Sequence, residues 1–187
     1  MKCFETPIPG LFLFEPRVFP DDRGYFFESF RDDFLKKQGI LLPFIQDNQS
    51  RSTKGVLRGL HYQIGEYAQA KLIRVLRGEI LDVAVDLREN SPTFGHSYSV
   101  VLSEENHLQL YIPRGFAHGF LTLSPSADIL YKCDAYYHKM AEAGIKYNDP
   151  QLNINWNFPT EEMILSEKDT LLPILGSHFP IKIAFQS

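Results

Sequence analysis

Short runs of β-branched and aromatic residues, cut by turn-forming residues roughly every 8–12 positions, set the terms on which this 187-residue chain can fold. Residues 11–15, 24–30, 56–63, 71–76, 80–87, 98–102, 108–112, 118–123 and 129–136 are predicted strands. The run 80–87 alternates most cleanly, with Leu81, Val83, Val85 and Leu87 on one face and Ile80, Asp82, Ala84 and Asp86 on the other. Arg77-Gly78-Glu79 joins it to the preceding strand as a tight hairpin, Gly78 supplying the positive φ, and Ser103-Glu104-Glu105-Asn106 reads as a second turn. Only residues 31–38, stopped by Gly39 and carrying Phe34 and Leu35 as an apolar pair, have a helical pattern. The expectation is an all-β sandwich or barrel with one short helix. Without internal repeats or linkers, it should form a single domain over residues 1–187. From Gly144 onward the sequence is loop-rich, with Asn148-Asp149-Pro150 and Asn155-Trp156-Asn157, and is expected to wrap over the barrel.

Charge and cysteine usage narrow the function classes. With 19 Lys+Arg against 23 Asp+Glu, a net charge of −4, the chain lacks the cationic surplus that gives general nucleic-acid binding. No apolar run approaches the ~20 residues that span a bilayer. Met1-Lys2-Cys3-Phe4-Glu5-Thr6-Pro7 places an acid and a proline where a signal peptide carries apolar residues, so a cytoplasmic protein is expected. Cys3 and Cys133 lie far apart with no CxxC, which fits neither a disulfide framework nor a zinc site. Within this acidic chain, Arg51, Lys54, Arg58, Lys71, Arg74 and Arg77 face only Glu66 between positions 51 and 77. Such a local excess suits an anion pocket for a phosphate or diphosphate, although charged residues also guard solvated strand edges.

Three further segments carry chemistry. His61 lies in the predicted strand 56–63, where a lone histidine is more often a hydrogen-bonded core residue than a catalyst; Arg58 nearby changes the weighing, because a buried arginine needs an anion. Positions 58 and 61 have opposite parity in a regular strand, so either a bulge at Gly59 brings both into one cavity or one of them reaches a neighbouring subunit. Pro113-Arg114-Gly115-Phe116-Ala117-His118 resembles the second motif of cupins, small β-barrels that often carry a metal. The first cupin motif is incomplete: His61-Tyr62-Gln63 lacks the second imidazole and Glu66 falls one residue short, so a metal-free cavity is expected. Tyr131, among apolar strand residues, can be core or a proton donor facing a cavity. Asp169, by itself, reads as a surface carboxylate.

Residues 19–30, 46–52, 55–63, Lys71, 112–120, 131–137 and 164–169 together resemble the dTDP-4-dehydrorhamnose 3,5-epimerase family, in the family's order and over nearly the whole chain. The resemblance implies a double-stranded β-helix, or jelly-roll, a homodimer, and neither metal nor organic cofactor. It implies dTDP-4-dehydro-6-deoxy-D-glucose as substrate and its C3,C5 epimer, on the route to dTDP-L-rhamnose, as product. By motif, His61 is the general base, Asp169 its orienting partner, Tyr131 the acid on the opposite face and Lys71 the group near the C4 carbonyl. Arg23, Glu28, Gln46, Asn48, Arg58, Lys71, His118, Glu142 and Lys168 fall at substrate-binding positions, and Tyr137 where an aromatic ring stacks on thymine. The loop His138-Lys139-Met140-Ala141 departs from the family's more polar, Pro- and Arg-containing pattern.

The chemistry of the residues agrees with that resemblance. Inverting a carbon next to a ketone requires a base, a stabilised enolate and an acid on the other face. Imidazole suits the first role near neutral pH, an ammonium the second and a phenol the third. The same set also serves an epimerase of one centre only, or one for another nucleoside-diphosphate 4-keto sugar, although the retained Tyr131 favours two centres. A metal-dependent cupin enzyme and a non-catalytic sugar-binding barrel are the competing classes. Gln63 in place of an imidazole argues against the first, and the second has no need of a His61–Asp169 pair.

Overall fold

The strand-forming runs pair into two facing antiparallel sheets in the computed structural model, which describes residues 1–181 and 183. The strands of the first half are β1 (Lys2–Glu5), β2 (Phe12–Glu15), β3 (Phe19–Asp21), β4 (Gly24–Phe26), β5 (Gln46–Thr53), β6 (Leu57–Gln63) and β7 (Lys71–Arg77). Those of the second half are β8 (Glu79–Asp86), β9 (Ser97–Ser103), β10 (Gln109–Ile112), β11 (Phe116–Thr122), β12 (Ser126–Cys133) and β13 (Glu142–Gly144). Helices are short: α1 (Asp32–Lys37), stopped by Gly39 as expected, and α2 (Glu167–Thr170). One sheet runs β1-β2-β10-β7-β12-β5 and the other β13-β6-β11-β8-β9, while β3 and β4 form a hairpin apart from both. This is the all-β jelly-roll arrangement expected, and among the described residues no helix is long and apolar enough to cross a membrane.

Both faces of β8 are buried, which explains its alternation. Ile80 and Ala84 pack between the sheets with Leu11, Ile73, Leu102, Leu110, Phe116 and Ile129. Leu81, Val83 and Val85 point the other way, against Leu152, Trp156 and Ile181 of the C-terminal segment, which wraps over the five-stranded sheet. Trp156 anchors that wrap by donating its indole N–H to the Tyr147 carbonyl at 3.0 Å. On the opposite outer face, Leu35 of α1 and Ile40 cover Phe14, Leu72 and Tyr111.

The space between the sheets is apolar at one end and polar at the other. At the polar end β5, β12 and β7 face β13, β6 and β11, and the polarity begins with β5, whose inward positions are Gln46, Asn48, Ser50 and Ser52. That strand was not predicted, because a run whose inner face is hydrophilic lacks the apolar period by which strands are recognised. The predicted strand 24–30 ends early, at Phe26.

Candidate active site

A bulge in β6 builds one wall of the cleft. His61 pairs with His118 of β11, but Arg58 pairs with Phe120, so three steps of β6 match two of β11. The extra residue restores common parity and turns both Arg58 and His61 inward, the first of the two alternatives left open by the sequence. Gly59, at φ 125°, permits this: a Cβ there would lie 2.5 Å from the Gly119 Cα, and one on Gly119 2.6 Å from the Arg58 carbonyl oxygen. Gly119→Ala is therefore expected to cost about 1–3 kcal/mol. For a chain of this size that is a fall in melting temperature of roughly 2–12 °C, checked by thermal unfolding.

The C-terminal segment delivers the carboxylate. Ile164 bridges alongside Val56, with Leu57 N–H donating to the Ile164 carbonyl at 2.9 Å and Ile164 N–H to that of Gly55 at 2.8 Å. Ser166 then caps α2, its hydroxyl accepting from the Asp169 N–H at 3.2 Å. Asp169 is consequently buried, not a surface charge, with its Oδ1 2.6 Å from Nε2 of His61, a residue 108 positions away. Burial alone would raise the Asp169 carboxyl, but hydrogen bonds from His61, Ser166 and the Gly59 amide hold it below the usual carboxylate range. The ionised carboxylate can only accept, so Nε2 of His61 carries the proton and Nδ1 keeps the free lone pair.

A second histidine–carboxylate pair stands beside the first. His118 Nε2–H donates to Oδ1 of the buried Asp82 at 2.7 Å. Burial pushes the His118 imidazole down, Lys71 and His61 push it further, and Asp82 opposes them without prevailing. Burial likewise lowers the Lys71 ammonium, against the attraction of Cys133, Asp82 and Glu142. Among the described residues Lys71 has no carboxylate within ion-pair distance, so its charge remains available to a ligand. Tyr131 projects from β12 in the facing sheet, its phenol raised above 10.0 chiefly by burial.

These residues line one cleft with two chambers. The inner chamber, about 480 Å³, is bounded by Ser50, Arg58, His118, Phe120, Lys168 and Asp169, together with His61, Lys71 and Tyr131. The outer one, about 290 Å³, shares those last three and adds Gln46, Asn48, Gln63, Gln69, Tyr137 and Glu142. Arg58 donates to Ser52 Oγ at 3.0 Å. Glu142 accepts from Lys168 and, at 2.9 Å, from the Tyr137 hydroxyl. Burial would raise the Glu142 carboxyl, but these two donors hold it low.

Two expected contributors stand elsewhere in the chain. Arg23 sits in the β3–β4 hairpin, ion-paired with Asp21 at 2.6 Å, and Glu28 lies near Arg31 in a separate surface hollow with Met1 and Phe34; neither lines the cleft of its own chain. The basic cluster also divides. Of its six members only Arg58 and Lys71 reach the cleft, while Arg51 pairs with Asp128 at 2.6 Å and Arg74 lies over the Phe27 ring. Sequence reasoning passed over Asp82, whose signal was a carboxylate on the inward face of an otherwise apolar strand, and Gln69, for which there was no signal; Gln63 was read only as a missing imidazole. Among the described residues no three His, Cys, Asp or Glu side chains gather to hold a metal ion.

Comparison with known proteins gives a consistent result. Residues 5–177 match the family model described as dTDP-4-dehydrorhamnose 3,5-epimerase. A protein of that name from Escherichia coli (strain K12) is 49% identical over 184 residues, covering 98% of this chain and 99% of the relative. The crystal structure of dTDP-6-deoxy-D-glucose-3,5-epimerase from Legionella pneumophila, in complex with dTDP-4-keto-L-rhamnose, superposes with a TM-score of 0.93 at 47% identity, covering 100% of this chain and 99% of that one. A 3'-monoepimerase from Streptomyces bikiniensis, in complex with dTDP-quinovose, gives 0.85 at 35% identity, covering 92% and 87%.

Proposed function

The chain belongs to the dTDP-4-dehydrorhamnose 3,5-epimerase family, and from that membership we propose that it inverts C3 and C5 of dTDP-4-dehydro-6-deoxy-D-glucose, giving dTDP-4-dehydro-6-deoxy-L-mannose for dTDP-L-rhamnose biosynthesis. One observation carries the mechanism: His61 and Tyr131 enter the same cleft from opposite sheets, with Lys71 between the two chambers. Nδ1 of His61 takes the proton from the carbon next to the C4 ketone, and the electron pair moves onto O4. The Lys71 ammonium stabilises that developing charge, an interaction stronger in the transition state than in the ground state. Asp169 fixes the imidazole tautomer and stabilises the imidazolium. Tyr131 then delivers its phenolic proton to the opposite face. The step leaves an imidazolium and a phenolate, which exchange protons with solvent before the next inversion, and it calls for neither a metal nor an organic cofactor. Because the ketone flanks both C3 and C5, one set of groups serves both centres in turn.

Around this centre, Arg58, His118 and Lys168 hold the sugar diphosphate in the inner chamber, and Gln46, Asn48, Tyr137 and Glu142 hold the nucleoside in the outer one. Arg23 and Glu28 act across a homodimer, on the substrate of the partner subunit; the exposed Phe19, Tyr25 and Phe26 on the same hairpin are the apolar surface such an interface would cover. The test couples the purified enzyme to an NADPH-dependent 4-reductase and measures dTDP-L-rhamnose. Wild-type protein should yield it. Tyr131→Phe should lower trapped product by roughly tenfold or more while His61 still exchanges the substrate's C–H protons with solvent. Unchanged product formation in that variant would remove Tyr131 from the role of acid.

A further inference from the structure

Three glutamine side chains hold the backbone of the loop that carries Tyr137. Gln46 Oε1, from β5, accepts the Tyr137 N–H at 3.0 Å. Gln63 Oε1, at the end of β6, accepts the His138 N–H at 2.7 Å, and Gln69 Nε2 donates to the Ala135 carbonyl at 2.7 Å. Gln63 is 5% exposed and uses its other end as well, its Nε2 donating to the Tyr67 carbonyl at 2.9 Å. The Tyr67 ring in turn stacks on the His138 imidazole, centroids 4.1 Å apart and planes 15° from parallel. The loop that carries Tyr67 and the loop that carries Tyr137 are thereby fastened to one another. Tyr137 is fixed at its backbone by Gln46 and at its hydroxyl by Glu142, yet 52% of its surface faces open space.

We propose that Gln63 and Gln69 are positioning residues which, with Gln46, hold the Tyr137 ring as a preformed stacking wall for the planar base of the nucleotide. They set nucleotide affinity and leave the rate of proton transfer alone. This rests on the reading of the outer chamber as the nucleoside site. An aromatic ring on an untethered loop loses conformational freedom when a base stacks on it, whereas a ring already fixed does not. Removing Gln63 leaves the His138 N–H without its partner; removing Gln69 does the same to the Ala135 carbonyl.

The experiment is calorimetric titration of the full-length protein with dTDP and, separately, with inorganic pyrophosphate, together with epimerisation kinetics. Gln63→Met and Gln69→Met should each weaken dTDP binding and raise KM by about tenfold, the effect of one hydrogen bond, with kcat within about twofold of wild type. Pyrophosphate, which never meets the ring, should bind the variants as it binds wild type. In a Tyr137→Ala background the same substitutions should cost nothing further, because no ring remains to be positioned. Unchanged dTDP affinity overturns the proposal; so does an equal loss of pyrophosphate, or a tenfold loss that persists without Tyr137. Should the buried Gln63 variant fail to fold, Gln69→Met, nearer the surface, carries the same test. Wild-type protein that does not bind dTDP would instead overturn the underlying reading of the chamber.

Discussion

His61→Asn is expected to lower kcat by roughly 10³-fold while changing dTDP affinity less than about threefold, because in the proposed mechanism it removes the base and none of the groups assigned to the nucleotide. The substitution is conservative where stability is concerned. Asparagine keeps an amide N–H near the buried Asp169, which would otherwise lose one of its hydrogen-bond donors. The size of the effect follows from the assignment of atoms. With Nε2–H committed to Asp169, Nδ1 is the only lone pair His61 can offer the sugar. His118, the nearest candidate to replace it, has its own partner in Asp82 and is biased towards neutrality by burial. Steady-state kinetics with calorimetry measure both quantities; a variant retaining a tenth of wild-type kcat would exclude His61 as the base.

Lys71→Gln is expected to lower kcat by about 10²-fold, the scale of about 3 kcal/mol for one group that stabilises charge developing on oxygen. The same residue fixes the sign of the alkaline response. Burial places the Lys71 ammonium below the ordinary 10.5, so it loses its charge earlier than an exposed lysine as pH rises. Tyr131 moves the opposite way, above 10.0, and keeps its proton over that interval. Wild-type activity should therefore fall on the alkaline side below pH 10.5, and the Lys71→Gln variant, slow at every pH, should lack that fall. A pH–rate profile of both proteins checks it, and an identical alkaline limb in the variant would assign the limb to another group.

The sequence made the barrel legible and the polar end of it less so. Strand β8 could be read because each of its faces meets an apolar surface, one between the sheets and one under the C-terminal wrap. Strand β5 could not, since Gln46, Asn48 and Ser50 line the cleft, Ser52 is buried beneath Arg58, and the run mimics a loop. His61 and Arg58 were visible as residues but not as neighbours, because their shared orientation depends on a bulge that only the pairing register of β6 and β11 reveals. Asp169 reads as a surface charge in sequence, and only the Val56–Ile164 bridge brings α2 against the cleft. Arg23 and Glu28 carried the family's pattern, yet neither lines the cleft: Arg23 sits on the β3–β4 hairpin, which stands apart from both sheets, and Glu28 lies beyond it beside Arg31. The hydrogen bonds of Gln63 and Gln69 gave no signal because they go to backbone groups of a loop, which no side-chain pattern encodes.

Deuterium incorporation from D₂O into dTDP-4-dehydro-6-deoxy-D-glucose, followed by proton NMR with metal-stripped wild-type enzyme, tests the central claim most directly. Loss of proton signal at both C3 and C5 is the predicted result, since the proposed mechanism sets one base and one acid about a ketone adjacent to both carbons. Exchange at a single carbon would make this chain a mono-epimerase, and no exchange at either would contradict the assignment of the cleft.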